Sequence, residues 1–218
     1  MTHEPRLRAA AADARYLLER GYGREQVLTL VGNHYNLDRA QRELLRRGVY
    51  GPSQAATRRE RLLQPRDLAG TTVGIDGHNV LITIESALKG RRLVLADDGL
   101  VRDIAGQGRH HRPGPTILEA ARLMVRYLVA QQVLEAQVWL DAPLTKSGEL
   151  AAELRRILAQ EGLAGDAQAV PVPERHLKRH RGPVATSDSA LIDAVAWPVD
   201  LAGLVIRSLQ PPPHLEML

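Results

Sequence analysis

Cysteine is absent from this 218-residue chain. That excludes disulfides, thiolate zinc sites and a cysteine nucleophile together. Phenylalanine is absent too, leaving two Trp and five Tyr. Stacking platforms for bases are therefore scarce, and any grip on nucleic acid is expected to be electrostatic and salt-dependent. No run approaches the roughly eighteen uninterrupted apolar residues of a membrane helix. Arg6, Arg8, Asp13, Arg15 and Glu19 interrupt the N-terminal stretch, which leaves no apolar core for a secretory signal. A cytoplasmic location away from membranes is expected. Lysine occurs only at 89, 146 and 178, so 26 of the 29 basic residues are Arg. Arginine grips phosphate as a bidentate fork, although a GC-rich genome would produce the same bias.

What is present describes a folded chain. Apolar residues make up 44% and charged residues 25%, enough for a real core in one large or two small domains. The formal charge is +4, and residues 1–68 alone hold 13 Arg against 8 acids. This basic stretch has no strand-like run. Leu7, Ala11, Ala14, Leu17 and Leu18 recur at helical spacing over 5–20, before Gly21. A short helix is expected over 26–31, interrupted by Gly32-Asn33, and a third over 36–47, ended by Gly48. Residues 54–64 form a charged helix or linker that Pro65 breaks. Arg39, Arg42, Arg46 and Arg47 on the third helix admit a helix-turn-helix reading, but a small bundle with a solvated arginine face needs fewer assumptions. Four of the five tyrosines (Tyr16, Tyr22, Tyr35 and Tyr50) fall here, suggesting that the module binds RNA bases or the rest of the chain.

The boundary is placed between a helical module, 1–68, and an α/β domain, 69–218. Strands are expected at 71–75, 136–140, 167–172, 183–186 and 204–206, with helices over 115–132, 147–160 and 188–196. Ser147 is the expected N-cap of the second of these helices. Asp97-Asp98-Gly99 reads as the turn of a hairpin between 93–95 and 100–104. Pro211-Pro212-Pro213 begins a tail. Strands alternating with helices of this length imply a mostly parallel sheet flanked by helices.

Three strands run into an aspartate: Val73-Gly74-Ile75 into Asp76, Val138-Trp139-Leu140 into Asp141, and Val184-Ala185-Thr186-Ser187 into Asp188. Singly, each suits a turn or a helix cap. Together, at the carboxyl ends of neighbouring parallel strands, they would form a ligand site. Converging carboxylates repel unless a cation neutralises them, and oxygen ligands suit Mg²⁺ or Mn²⁺.

These residues resemble the PIN-like and NYN-type nucleases. Gly74-Ile75-Asp76-Gly77-His78-Asn79-Val80-Leu81 is similar to their opening strand, Val138-Trp139-Leu140-Asp141 to the middle one, and Val184-Ala185-Thr186-Ser187-Asp188-Ser189 to the later one. The resemblance covers about 71–208. The helical module joined to this domain, with Asp-Gly-His-Asn-Val-Leu-Ile-Thr-Ile-Glu-Ser and Asp-Ala-Pro-x-x-x-Ser-Gly, is similar to a family of uncharacterised archaeal and bacterial proteins. The resemblance implies a PIN-like fold and a metal-dependent endoribonuclease, with Asp76, Asp141 and Asp188 holding Mg²⁺ or Mn²⁺. It further implies that Asn79 orients Asp76 or bound water, and that Ser187 bonds a carboxylate or phosphate. Glu85, Asp103 and Asp193 are its candidates for a fourth acid. The hairpin at 91–104 departs from the family's pattern.

Two basic stretches border these acids: one with Arg109 and Arg112 around His110-His111, the other with Arg175, Lys178, Arg179 and Arg181. Both have the composition of a phosphate-binding rim and also of a solvated loop. His176 and His180 stand at i, i+4, but nothing around them completes a zinc site. The partner expected is RNA, with a homodimer as the oligomeric alternative. A non-catalytic RNA- or protein-binding module on the same fold is the second reading. A phosphatase or phosphotransferase is the third, weakened because the chain reads Asp76-Gly77-His78 rather than Asp-x-Asp and has no Gly-rich phosphate loop with lysine.

Overall fold

The computed structural model describes residues 3–104, 114–144 and 146–218. Two compact units emerge: residues 1–60 with 91–106 and 214–218, and residues 61–90 with 107–213.

The first unit is built on α1 (His3–Glu19), α2 (Arg24–His34), α3 (Arg39–Gly48) and most of α4 (Pro52–Arg61). The second helix does not stop at Gly32-Asn33 as the sequence suggests. Gly32 lies inside it because the Arg42 guanidinium packs where a Cβ would stand. Asp38 caps α3, with a reciprocal bond from Gln41. The helices bury Leu7, Ala10, Ala14, Val27, Val31, Leu44 and Leu45 in one core. Two of the four arginines on α3 are committed inside this bundle: Arg42 to the Leu37 carbonyl and Asn33, and Arg46 to Glu25.

The hairpin forms as expected, from β2 (Leu93–Leu95) and β3 (Val101–Asp103), with Gly99 at φ +84° in its turn. It belongs, however, to this helical unit and not to the α/β domain, because Val94 and Ile104 join the helical core. The tail after the prolines likewise returns as β8 (Leu215–Glu216), parallel to β2.

The second unit is the expected α/β domain. It contains β1 (Thr72–Asp76), α5 (Gly77–Leu88), α6 (Pro115–Ala130), β4 (Glu135–Asp141), α7 (Ser147–Gln160), β5 (Ala164–Val170), α8 (Pro173–Leu177), β6 (Val184–Ala185), α9 (Ser189–Ala194), β7 (Pro198–Val199) and α10 (Leu201–Arg207). Its five strands are all parallel, in the order β5-β4-β1-β6-β7. Residues 204–206, expected as a strand, lie in α10, since Asp200 accepts a bond from Gly203 N–H and starts a helix there. Ser147 does not cap α7. Lys146 holds the cap position at φ 66°, and the Ser147 hydroxyl donates to the carbonyls of Asp141 and Leu144.

Gly77 decides how α5 leaves the sheet. A Cβ at this position would stand 2.6 Å from Leu140 Cδ2, 2.8 Å from Val138 Cγ1 and 3.0 Å from the Trp139 carbonyl. Gly77→Ala is expected to cost about 1–3 kcal/mol by overpacking. Gly148→Ala, with nothing within 4 Å, is expected to be neutral or stabilising by up to about 1 kcal/mol. Urea titration of the two variants checks the contrast, and equal midpoints would remove the steric argument.

Candidate functional site

The strand order makes β4, β1 and β6 neighbours, so the carboxyl ends leading to Asp141, Asp76 and Asp188 lie side by side. Asp76 is the Cα partner of Trp139, and Gly74 is the partner of both Gln137 and Val184. Partnered residues share a face of a sheet and alternate along each strand. Gly74, Asp76, Trp139, Asp141 and Val184 therefore occupy one face. Helix α5 packs on the other, against Val138 and Leu140.

Asp76 occupies the N-cap position of α5, yet its carboxylate makes no cap bond. Its Oδ2 instead accepts a 2.9 Å hydrogen bond from the Thr186 hydroxyl. Burial pushes its pKa up to about 7, opposed by the Thr186 bond, and the charges of Asp141 and Asp188 raise it further. Asp188 is exposed and caps α9 through Leu191 N–H at 2.9 Å. Its cap reading therefore holds alongside its place beside Asp76.

Asn79 does not bond Asp76 through its side chain. Its Oδ1 accepts from both the backbone N–H and the hydroxyl of Ser187, at 2.8 and 2.9 Å, tying α5 to the loop before Asp188. Ser187 is thus engaged with Asn79.

His78, to which the sequence pattern gives no role, completes the group. Its Nδ1 accepts from the Asp141 backbone N–H at 3.0 Å and stands 3.3 Å from Asp141 Oδ2. A nitrogen accepting that N–H cannot donate to the carboxylate, which places the neutral imidazole's proton on Nε2. The signal in the sequence was its position two residues after Asp76.

The fourth-acid candidates lie elsewhere. Glu85 is fully buried on α5, nine residues (about 13 Å of helix) beyond Asp76, and pairs with Lys89 at 2.6 Å. Asp103 is buried on β3, in the helical unit. Asp193 is exposed on α9, about 140° around the helix from Asp188. Among the described residues no three His, Asp or Glu side chains stand close enough to hold one metal ion. The donor chemistry and mutual repulsion of Asp76, Asp141 and Asp188 suit a divalent cation, in the manner of sites where one or two carboxylates are completed by water and phosphate.

Of the basic residues, Arg109 and Arg112 lie outside the described residues. The second stretch forms α8 and the turn after it. Arg175, Arg179 and Arg181 line a concavity of about 370 Å³ with Trp139, His176 and His180, while Lys178 is exposed beside it.

The molecule is thus a parallel α/β domain with aspartates at three adjacent strand ends, joined to a basic helical module. A family described as “Domain of unknown function (DUF5616)” matches residues 65–204, and the chain belongs to that family. A second, described as “Protein of unknown function (DUF434)”, matches residues 6–61. An uncharacterized protein of Methanocaldococcus jannaschii is 32% identical over 203 residues, covering 92% of this chain and 97% of that protein. No solved structure matches the chain. No helix among the described residues is long and apolar enough to cross a membrane.

Proposed function

We propose that the acidic strand ends form a divalent-cation-dependent phosphodiesterase site of PIN-like type acting on RNA. The observation that carries this reading is the juxtaposition of Asp76, Asp141 and Asp188 on β1, β4 and the loop after β6, with Asp76 raised to about 7 partly by its two acidic neighbours. Such strain is relieved by a cation. Mg²⁺ or Mn²⁺ held by Asp76 with Asp141 or Asp188 would neutralise phosphate charge and lower the pKa of water.

The chain's own groups supply the rest. Thr186 fixes Oδ2 of Asp76, and the Asn79 backbone N–H also favours the ionised carboxylate. Asn79 and Ser187 tie α5 to the loop before Asp188, and so hold Asp76 and Asp188 in register. His78 accepts the Asp141 backbone N–H and so ties the first turn of α5 to the end of β4.

Calorimetric titration of Mn²⁺ and Mg²⁺, followed by assays on labelled single-stranded and structured RNA, tests the proposal. Asp76→Asn is expected to abolish metal binding and to lower cleavage at least about a hundredfold. Cleavage that survives Asp76→Asn with Asp188→Asn, or survives EDTA, would sink it. The second reading is a non-catalytic RNA- or protein-binding module, which the exposed arginines around Trp139 would suit without a metal. It predicts salt-sensitive RNA binding that ignores metal.

A further inference from the structure

Many arginines among the described residues pair with acids. Arg15 pairs with Asp97, Arg46 with Glu25, Arg92 with Glu216, Arg126 with Glu161, Arg156 with Glu153 and Arg207 with Asp200. Arg175, Arg179 and Arg181 differ. All three are exposed, none has a side-chain ion pair or hydrogen bond among the described residues, and all three line one concavity of about 370 Å³. Only one acid, Glu174, lies in the stretch from 173 to 183.

The floor of this concavity is built. Trp139 stacks on His176, with centroids 5.7 Å apart and planes 25° apart, and meets His180 edge-on at 5.8 Å. His180 donates from Nε2 to the Thr72 carbonyl at 2.9 Å. Its ring lies where two glycines leave room: a Cβ on Gly74 would stand 2.9 Å from His180 Cγ, and one on Gly182 would stand 3.0 Å from Nε2. Leu177 of α8, Val184 and Leu191 form a small apolar cluster on which Trp139 packs. The ring floor is thereby fixed before any ligand arrives, which lowers the ordering cost of binding.

We infer that this concavity binds the terminal phosphomonoester of a single-stranded RNA end, and that the chain acts on phosphorylated ends. Three unpaired guanidinium forks in one small hollow match a phosphomonoester, which carries about −1.5 to −2 charge near pH 7, better than the single charge of an internal phosphodiester. The volume suits one nucleotide rather than a duplex, and the Trp139–His176 layer offers the terminal base an aromatic edge. Trp139 is the Cα partner of Asp76 and stands two residues before Asp141, about 7 Å along the strand. A phosphorylated end held there puts a following phosphodiester within about one nucleotide of the carboxylates. This placement rests on the phosphodiesterase reading; the end-binding itself does not.

The test uses the full chain in EDTA, with hexauridylates carrying a 5′-phosphate, a 3′-phosphate or hydroxyls at both ends, each labelled away from the end compared. Binding is read by anisotropy. One phosphorylated form is expected to bind at least tenfold more tightly than the hydroxyl-ended form, and which one it is assigns the polarity. Arg179→Gln with Arg181→Gln should erase that preference, whereas Arg66→Gln, at an exposed arginine of the same unit, should retain it. Equal affinity of all three oligonucleotides for the wild-type chain overturns the inference, as does a preference that survives the double variant. An end preference without cleavage in Mn²⁺ upholds the pocket and removes the nuclease reading. Cleavage without an end preference does the reverse.

Discussion

Above pH 7, the metal-free Asp76→Asn variant is expected to be more stable than the wild-type chain, by about 2–4 kcal/mol. Folded Asp76 keeps its proton up to about pH 7, because burial and then the charges of Asp141 and Asp188 disfavour its ionised form, whereas its unperturbed value is 3.8. Between those two values the folded state binds more protons than the unfolded one, so stability falls as pH rises through the window. Asparagine carries no charge and can still accept the Thr186 hydroxyl bond. The two proteins should therefore converge below about pH 4 and separate toward pH 8. Urea midpoints from pH 4 to pH 8 measure this, and a variant less stable than wild type at pH 8 would refute it. Mn²⁺ should narrow the gap, since a ligand that binds only the folded wild-type site stabilises it by mass action. The position would then be one where the best residue for stability is not the residue present.

The second large effect is expected at Asp98, in the helical unit. Its carboxylate is fully buried between Arg58, at 2.9 Å, and Arg102, at 2.7 and 2.8 Å, both of them also buried. Burial alone would raise its pKa, but the bonds and charges of Arg102 and Arg58 outweigh that and lower it. The Tyr50 ring adds a shared aromatic face, 4.7 Å from the Arg58 guanidinium, 5.0 Å from that of Arg102 and 4.2 Å from that of Arg24. Asp98→Asn removes the negative charge that two buried cations share, and about 3–5 kcal/mol should be lost. The depressed folded pKa makes the carboxylate's contribution present above its unfolded value and lost in acid, so the difference from wild type should shrink below about pH 4. A change under about 1 kcal/mol at pH 7 would mean that the guanidiniums find other partners. Hydrogen exchange should locate the damage in β2, β3 and α4, because Asp98 sits in the hairpin turn and Arg58 on the helix.

Much of the fold could be read locally. The amphipathic spacing that forms α6 and α7, the Asp-Asp-Gly turn of the hairpin and the glycine after α1 are short-range chemistry, and the structure follows them. The three aspartates at strand ends were equally legible, because a β-branched or apolar run ending in Asp needs no tertiary information. Residues 204–206 differ from expectation because a short apolar run suits a strand or a helix, and the deciding signal, the Asp200 cap, lies four residues upstream.

What the sequence by itself determined, then, is the longer helices and strands and the acids at the strand ends, since helix and strand periodicity and turn residues act within a few positions. Tertiary structure alone decided two further matters. Strand order β4-β1-β6 brings Asp141, Asp76 and Asp188 together, and parallel pairing is set by packing across the whole sheet, not by any one strand. The hairpin joins the helical unit because its buried faces match that core. Long-range packing sets each of these outcomes, and it brings together residues far apart in the chain, which no local pattern encodes.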